Sequence, residues 1–382
     1  MHLIVLENEP STRRGGQELS LFDVCQALVK RGHTLTLLYR QPGNLLAAYQ
    51  DICQQMLSVE HYRLDMKRPL ASGRQLLQDL RRIAIEPNSL IYCNQYHDSF
   101  FAWLLARLRR RPLVCHVRLP PPPNLGWQWS LGMRGAHRQI AVSQYTKSEW
   151  VAIGYNATRI DVVHNGIDIQ RFTAAATLDD AYALRSQLIS PAFNTSEYYL
   201  ISYVGRLDRG KGIETLLHGF ALAQQQYPQL HLAIAGKPHN DPSSYLQELK
   251  RLATNWRIDD SVTFLGHVDD PSQVYRASDL VVVPSEWPEP FGRTIIEAMA
   301  CGVPVVASRV GGIPEILTKE FQQRLVSPGN AAQLAAAISD NLTWRITDPD
   351  LAQRCRQHIV AHFSLSRTID GIEQAFARTH AT

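Results

Sequence analysis

Two glutamates, Glu289 and Glu297, lie in a stretch whose other residues are typical of a buried core. The stretch is EWPEPFGRTIIEAMACG, residues 286–302. An unpaired carboxylate buried among Ile, Ala and Met costs several kcal/mol, so each glutamate needs a partner. A carboxylate accepts hydrogen bonds from two adjacent hydroxyls, as a ribose diol offers. The pattern predicts that Glu297 binds a ribose, with a salt bridge inside the domain as the alternative. For Glu289 the partner is either a ligand or the positive end of the following helix, where an acidic residue favours the dipole.

The same stretch predicts a helix start that faces a binding cleft. Pro288 and Pro290 favour an extended loop, and a helical pattern begins just after them. The first N–H groups of a helix have no partner inside the helix and form its positive end, which suits phosphate. The residues at this start are Phe291, Gly292, Arg293 and Thr294.

A second candidate loop carries two cations. The segment SYVGRLDRGKGIETLL, residues 202–217, runs from a predicted strand into a predicted helix and contains Arg206 and Lys211. Gly212 stands where a metal-dependent phosphate loop needs Ser or Thr, which argues against a magnesium site. Two fixed cations at a helix start can instead stabilise a diphosphate leaving group directly. The alternative is a basic surface turn.

Weaker signals come from the first half of the chain. Gly15 and Gly16 lie in the loop STRRGGQELS, where they let a ligand approach the backbone before the first helix. The third glycine of a dinucleotide fingerprint is missing, so that class of protein is disfavoured. A plain strand-to-helix turn is equally compatible with this loop. His116 is placed at the end of the predicted strand LVCHV, at the edge where ligands bind, although a single histidine there is more often structural.

Composition restricts the class of protein. The 382 residues carry a formal charge of +4, which is too small for a typical nucleic-acid binder. The six cysteines are scattered, and the start MHLIVLENEP contains no pattern of a signal peptide, so we expect a cytoplasmic protein without a structural metal. The segment ARLRRRP, residues 106–112, follows an apolar run. It favours either peripheral contact with anionic lipid at the inner membrane surface or a solvated helix end.

Short apolar runs alternate with helical patterns twice along the chain. The first series is HLIVL, TLTLLY, SLIYC, LVCHV and QIAVS, and the second is YLISYVG, LHLAIAG, VTFLG, LVVVPS and PVVAS. This alternation predicts an α/β protein with two Rossmann-like domains and parallel sheets. We predict a first domain over 1–170, a linker over 171–197, a second domain over 198–362 and a C-terminal helix over 363–382.

In this order, the motifs resemble those of the retaining glycosyltransferases of family four, which have the GT-B fold. The resemblance spans nearly the whole chain. It rests on the Gly15-Gly16 loop and on KRGHTLTLL, VSQYTKSEWVAIGY, VVHNGIDIQRF, YVGRLDRGKG, DLVVVPSEWPEPFGRTIIEAMACGVPVVAS and VGGIPEIL. The spacing between Glu289 and Glu297 is its most specific part. The resemblance implies two Rossmann-like domains that face each other across a cleft, with the last helix crossing back to the first domain.

The resemblance also implies roles for the candidate residues. In the family pattern Arg206 and Lys211 bind the diphosphate and Glu297 binds the ribose. Glu289 lies beside the transferred sugar, together with the backbone of residues 291–293. Gly16 approaches the phosphates and His116 lies near the sugar. The catalytic candidates are therefore His116, Glu289, Arg206 and Lys211, and the donor-binding candidates are Gly15, Gly16, Arg206, Lys211, Glu289, Phe291, Gly292, Arg293, Thr294 and Glu297.

The expected activity is a retaining, hexosyltransferase-like transfer from a nucleotide-diphosphate sugar to an acceptor hydroxyl. We expect no cofactor and no metal. UDP, GDP and ADP sugars remain open as donors, and a glycan, a lipid or a small molecule as acceptor. Arg293 stands where the family pattern is usually aliphatic, and HVRLPPPPNLGW departs from the common versions. Two alternatives remain: a sugar-nucleotide-binding protein without turnover, and a GT-B epimerase that acts on the donor alone.

Overall fold

The chain forms two compact units. The computed structural model describes residues 1–12, 15–189, 197–238 and 244–379. The first unit comprises Met1–Gly166 together with Leu365–Thr382, and the second comprises Ile167–Ser364. The predicted linker contains a helix, Leu178–Leu188, that packs on another helix of the second unit, and its residues 190–196 lie outside the described part of the chain.

The first unit is built on a parallel sheet of seven strands within the described residues, in the order β3-β2-β1-β4-β5-β6-β7. The strands are β1 (His2–Glu7), β2 (Thr34–Tyr39), β3 (Gln55–Ser58), β4 (Ser89–Cys93), β5 (Leu113–Val117), β6 (Arg138–Ala141) and β7 (Ile160–Val162). The helices of its N-terminal segment are α1 (Gly16–Lys30), α2 (Leu46–Gln50), α3 (Pro69–Arg82), α4 (Ser99–Arg109), α5 (Trp127–Arg134) and α6 (Gln144–Ala152). β1, β4 and β5 are buried at every residue, because helices cover both faces of the sheet.

The second unit has a parallel sheet of six strands in the described residues, in the order β10-β9-β8-β11-β12-β13. The strands are β8 (Tyr199–Val204), β9 (Leu230–Ala235), β10 (Val262–Gly266), β11 (Leu280–Val283), β12 (Val305–Ser308) and β13 (Leu325–Val326). The helices are α7 (Leu178–Leu188), α8 (Ile213–Gln224), α9 (Ser244–Asn255), α10 (Pro271–Ala277), α11 (Arg293–Ala300), α12 (Ile313–Ile316), α13 (Ala331–Asp340), α14 (Trp344–Thr347) and α15 (Leu351–His362).

Both sheets reverse their strand order at one point. The reversal lies between β1 and β4 in the first unit and between β8 and β11 in the second. Loops at the carboxyl ends of such strand pairs diverge and leave a crevice for a ligand. The predicted α/β class with two Rossmann-like domains and parallel sheets is confirmed. The structure adds the short strands β3, β7 and β13, which the apolar runs did not indicate.

The last helix, α16 (Leu365–Ala377), belongs to the first unit, as predicted. Ile369, Ile372 and Phe376 are buried in the core that also contains Leu21 and Leu28 of α1. The Phe376 ring meets the Tyr92 ring edge-on, with the centroids 5.5 Å apart. α16 therefore supplies part of the hydrophobic core of a domain whose other elements lie far upstream.

The substitution Phe376→Ala tests this packing. Phe376 is 1% exposed, and removal of a buried phenylalanine side chain costs about 3–5 kcal/mol of unfolding free energy. We expect a clearly lower urea midpoint, measured by circular dichroism. Leu70→Ala is the control, because Leu70 is 90% exposed and its loss changes stability by less than about 0.5 kcal/mol. Equal midpoints for the two variants would contradict the packing role of α16.

Candidate functional site

The loops after β8 and β11 meet at the order reversal of the second sheet. Gly212 has a φ of +68° and precedes α8. A Cβ atom at this position would lie 2.1 Å from the carbonyl oxygen of Pro284, which follows β11. Only glycine allows this approach, because any other side chain collides with the backbone. The close contact explains why the cationic loop carries glycine where a magnesium-dependent loop carries a hydroxyl.

Two of the predicted site residues form an ion pair across these loops. The Nζ atom of Lys211 lies 2.5 Å from Oε1 of Glu289, and both side chains are mostly buried. The Ser285 hydroxyl donates to the same oxygen at 2.7 Å. The Glu289 carbonyl accepts from the Gly312 amide at 2.8 Å, so its backbone is fixed as well. The ammonium of Lys211 carries three N–H donors, so it can hold Glu289 and still donate to a ligand.

Arg206 is held more loosely. Its side chain is 47% exposed, and one guanidinium nitrogen lies 3.7 Å from Oδ2 of Asp208. The backbone is nevertheless fixed, because the buried hydroxyl of Tyr203 donates to the Arg206 carbonyl at 2.7 Å. A half-exposed ion pair at this distance adds little free energy, so the guanidinium can reorient towards an anion at small cost.

The N-terminus of α11 lies next to the strand end of β8. Gly292 is its N-cap residue, has a φ of +123° and carries no side chain that could cap the helix. The Thr294 hydroxyl donates to the carbonyl of Val204, the last residue of β8, at 3.2 Å. Phe291 is buried and packs edge-on against Phe363. The positive end of this helix is therefore fixed beside the loop that carries Arg206 and Lys211.

Glu297 has two protein partners. Its Oε1 atom accepts from Nε of Arg293 at 2.6 Å, and its Oε2 atom accepts from the Tyr275 hydroxyl at 2.8 Å. The salt bridge inside the domain, which was the alternative interpretation, is therefore present. Burial, followed by the neighbouring Glu297, raises the pKa of the Tyr275 hydroxyl well above its usual value. A carboxylate has about four lone-pair sites, so Glu297 can accept further hydrogen bonds from a ribose. Binding of a ribose by Glu297 stays a prediction.

The candidates of the first half lie in the first unit. Gly15 precedes α1 with a φ of +151°, and apart from its chain neighbours no heavy atom of the described residues lies within 4 Å of where its Cβ would be. Gly16 is exposed at the start of α1, while residues 13–14 of the same loop lie outside the described part. The approach of a ligand to the backbone of Gly15 and Gly16 stays a prediction.

His116 lies at the carboxyl end of β5, where it was predicted, and its side chain is buried. His116 is the last residue but one of β5, and its ring is fully buried inside the unit. Its Nδ1 atom and the Tyr92 hydroxyl lie 2.5 Å apart. Burial, followed by the charge of Arg118, lowers the pKa of His116 well below its usual value, so the imidazole is neutral. The residue that follows the strand at this edge is Arg118, and a contact of His116 with a sugar stays a prediction.

The sequence motifs did not predict a buried polar network that lies at the carboxyl edge of the first sheet. One Glu7 oxygen accepts from Asn94 at 3.0 Å, and the Asn94 oxygen accepts from Nε of Arg118 at 2.6 Å. Arg118 also donates to Asn165 at 2.8 Å. Burial, with smaller contributions from Asp98 and Glu18, raises the pKa of Glu7 to about 8. The first three members of this chain end or directly follow β1, β4 and β5, and that position was the available signal.

Two family models match the chain: Glycosyltransferase Family 4 over residues 14–171, and Glycosyl transferases group 1 over residues 187–358. The chain belongs to the group 1 glycosyltransferases. The predicted family is therefore confirmed.

Solved structures of similar fold cover nearly the whole chain. This chain is 25% identical to Anabaena HepE, which has been solved in complex with UDP and glucose. The TM-score is 0.80, and 99% of both chains is covered. Sucrose-phosphate synthase of Thermosynechococcus elongatus is 21% identical, with a TM-score of 0.77 over 100% of this chain and 99% of that one. The predicted GT-B fold is confirmed.

Curated relatives are similar over part of their length. D-inositol 3-phosphate glycosyltransferase of Salinispora arenicola is 34% identical over 59% of this chain and 50% of its own. The protein of the same name from Mycolicibacterium smegmatis is 33% identical over 64% and 53%, respectively. The chain spans about half the length of these relatives. No helix among the described residues is both long enough and apolar enough to cross a membrane.

The raised pKa of Glu7 predicts a pH effect on stability. The folded chain holds the Glu7 proton more tightly than the unfolded chain, so the stabilising contribution is complete below the ordinary carboxyl range and is lost as pH rises through about 8. Glu7→Gln resembles the protonated form. We expect the melting temperature of this variant, relative to the unchanged protein, to increase between about pH 5 and about pH 8.5.

The matched control is Glu60→Gln, because Glu60 is exposed and lies in the same unit. Differential scanning fluorimetry at several pH values measures both variants. If Glu7→Gln and Glu60→Gln show the same dependence on pH, the buried carboxyl of Glu7 does not titrate in this range.

Proposed function

We propose that this protein is a retaining glycosyltransferase that moves a sugar from a nucleotide-diphosphate sugar to an acceptor hydroxyl without a metal ion. The observation that carries the proposal is the placement of Lys211 beside Glu289 at the order reversal of the second sheet, with Arg206 on the same loop and the N-terminus of α11 next to it. This set offers two cations and a helix dipole to a diphosphate, and a carboxylate to the sugar.

The chemistry follows from where charge develops. Cleavage of the bond between the anomeric carbon and the phosphate oxygen leaves negative charge on the departing diphosphate. Arg206 can bind phosphate oxygens through its planar fork, and Lys211 acts as a point charge. The backbone N–H groups at the start of α11 add a fixed positive dipole. Because such donors are already oriented, they stabilise the transition state without reorganisation, and this electrostatic stabilisation often dominates catalysis.

Retention is the stereochemical part of the proposal. A covalent mechanism needs a nucleophile close to the anomeric carbon on the face opposite the leaving group. Among the candidates, Glu289 already accepts from Lys211 and Ser285, which fixes it as an orienting group. We therefore assign no nucleophile and propose that the acceptor hydroxyl attacks on the face from which the diphosphate departs, with that phosphate taking the proton.

The donor class is supported by similarity. HepE has been solved in complex with UDP and glucose and with UDP-glucose, so UDP-glucose is the first donor to test. The names of the curated relatives make D-inositol 3-phosphate a member of the acceptor panel, together with glycans, lipid-linked acceptors and small alcohols. Consumption of donor without acceptor, and conversion of the donor to an isomer, would favour the epimerase alternative.

The diphosphate assignment predicts the effect of removing each cation. Lys211→Ala and Arg206→Ala should each weaken UDP binding by about tenfold to a hundredfold, since a hydrogen bond to a charged group contributes about 1.5–3 kcal/mol. Isothermal titration calorimetry measures the affinity. Arg251→Ala is a control with the same loss of charge, because Arg251 is exposed on α9 of the same unit. The assignment is wrong if both variants bind UDP as well as this control does.

The stereochemistry and the metal requirement form a separate prediction. We expect NMR of the initial product to show the same anomeric configuration as the donor, because attack and departure occur on one face. We also expect the rate to be unchanged by EDTA, because the leaving group is neutralised by side chains and backbone dipoles. An inverted anomer would exclude same-face attack, and a rate that EDTA abolishes and Mg²⁺ restores would exclude the metal-free mechanism.

A further inference from the structure

A basic cavity lies at the amino edge of the first sheet. It has a volume of about 390 Å³ and is formed by the end of α4, the starts of β5 and β6 and the residue Thr379. The Gly15 loop lies at the opposite, carboxyl edge of the same sheet, because it follows β1. The cavity is therefore distinct from the predicted ligand-binding loops of this unit.

Three arginines line this cavity. They are Arg107, Arg110 and Arg111, and the described residues that line it include no aspartate or glutamate. The Nε atom of Arg111 is buried and has no hydrogen-bond partner among the described residues. Arg107 and Arg110 are exposed and Arg111 is half-buried, so their outer guanidinium nitrogens can donate to an anion in the cavity.

The fourth arginine of this segment has a structural role. Arg109 points elsewhere and donates to the carbonyls of Leu80, Arg81 and Ile83 at the end of α3, at 2.8–3.2 Å. Arg109 thus satisfies free carbonyls at the C-terminal end of α3, which is an ordinary structural role for a cation. No such carbonyl contact is present for the other three among the described residues, so the alternative of a plain basic helix end covers only part of the cluster.

The backbone at Arg110 is strained. Arg110 is the C-cap of α4, with φ 51° and ψ 52° in the left-handed region. Glycine is the usual residue at such a helix end, because it has no Cβ to clash. An arginine here accepts a conformational cost and adds a cation to the cavity. Strain of this kind is often stored at functional sites.

Trp103, which lies on α4 like Arg107, also lines the cavity. A Cβ atom at Gly135 would lie 2.1 Å from Cδ1 of Trp103, so the indole packs directly on the glycine backbone. The Nδ1 atom of His137 accepts from the Leu113 amide at 3.1 Å, which fixes the orientation of the ring. The cavity therefore combines three arginine forks with a fixed indole.

We propose that this cavity binds a ligand that carries two phosphate groups or a diphosphate. Arginine forks match phosphate oxygens, and three of them exceed what one phosphate needs. The volume is in the range of small-ligand sites and well above that of a single phosphate ion. The same chemistry is offered by a free phosphorylated metabolite and by a phospholipid headgroup. The proposal is independent of the glycosyltransferase activity.

Inorganic pyrophosphate is the probe, and the assay is isothermal titration calorimetry with the full chain. The protein carries Arg206→Ala and Lys211→Ala, so that binding at the second unit does not contribute. Arg107→Gln, Arg110→Gln and Arg111→Gln together should weaken binding at least tenfold. The control removes three exposed cations of the same unit (Lys67→Gln, Arg74→Gln and Arg159→Gln) and should keep the affinity. Two outcomes would overturn the proposal: an equal loss of pyrophosphate affinity in both triple variants, or no measurable pyrophosphate binding by the protein that carries only Arg206→Ala and Lys211→Ala.

Arg110→Gly separates binding from folding. Glycine relieves the left-handed strain, so we expect an equal or higher melting temperature together with weaker pyrophosphate binding. Unchanged binding in this variant would remove Arg110 from the site.

Cosedimentation with phosphatidylcholine vesicles, with and without phosphatidylinositol 4-phosphate, whose headgroup carries two phosphates, identifies the source of the ligand. Binding to phosphatidylinositol 4-phosphate that the variant with Arg107→Gln, Arg110→Gln and Arg111→Gln loses indicates a lipid headgroup. Pyrophosphate binding without vesicle binding indicates a soluble ligand. If pyrophosphate and both kinds of vesicle fail to bind, the cavity is not a phosphate site.

Discussion

The close approach of the loops after β8 and β11 is the constraint on which the candidate site depends. Strand order brings these two loops together, and Gly212 allows the backbone of one to touch the Pro284 carbonyl of the other. Lys211 and Glu289 are 78 positions apart in the chain, yet their charges form one ion pair because of this contact. A side chain at Gly212 would separate the cation from the carboxylate, so the chemistry of the loop is tied to a backbone requirement.

Buried carboxylates at the two sheet edges are satisfied in different ways. Glu297 accepts directly from a cation, Arg293, and from the Tyr275 hydroxyl. Glu7 accepts from the amide of Asn8 and from the side chain of Asn94, both neutral donors. A carboxylate among neutral donors is penalised by burial, and the pKa of Glu7 is accordingly high. The carboxyl edge of the first sheet can therefore change its protonation near neutral pH.

The sequence was sufficient where a pattern is long or glycine-dependent. Ten apolar runs coincide with strands. The loop that carries the cations and the loop that carries Glu289 meet, as their positions after β8 and β11 imply. β3, β7 and β13 escaped because short edge strands carry little apolar signal. The contact of His116 with Tyr92 and the division of roles between Arg109 and its neighbours were not predicted, for another reason. Both depend on which direction a side chain takes, and neighbours in space, not in sequence, decide that direction.

The helix α16 has a consequence for biosynthesis. The apolar face of α1, including Leu21 and Leu28, is covered by residues of α16, and the whole of Ile167–Ser364 is translated between the two helices. During translation that face lacks the part of its native cover that α16 supplies until the ribosome has completed the second unit. A nascent chain of this kind exposes apolar surface while the second unit is being synthesised, and such surface is what chaperones bind.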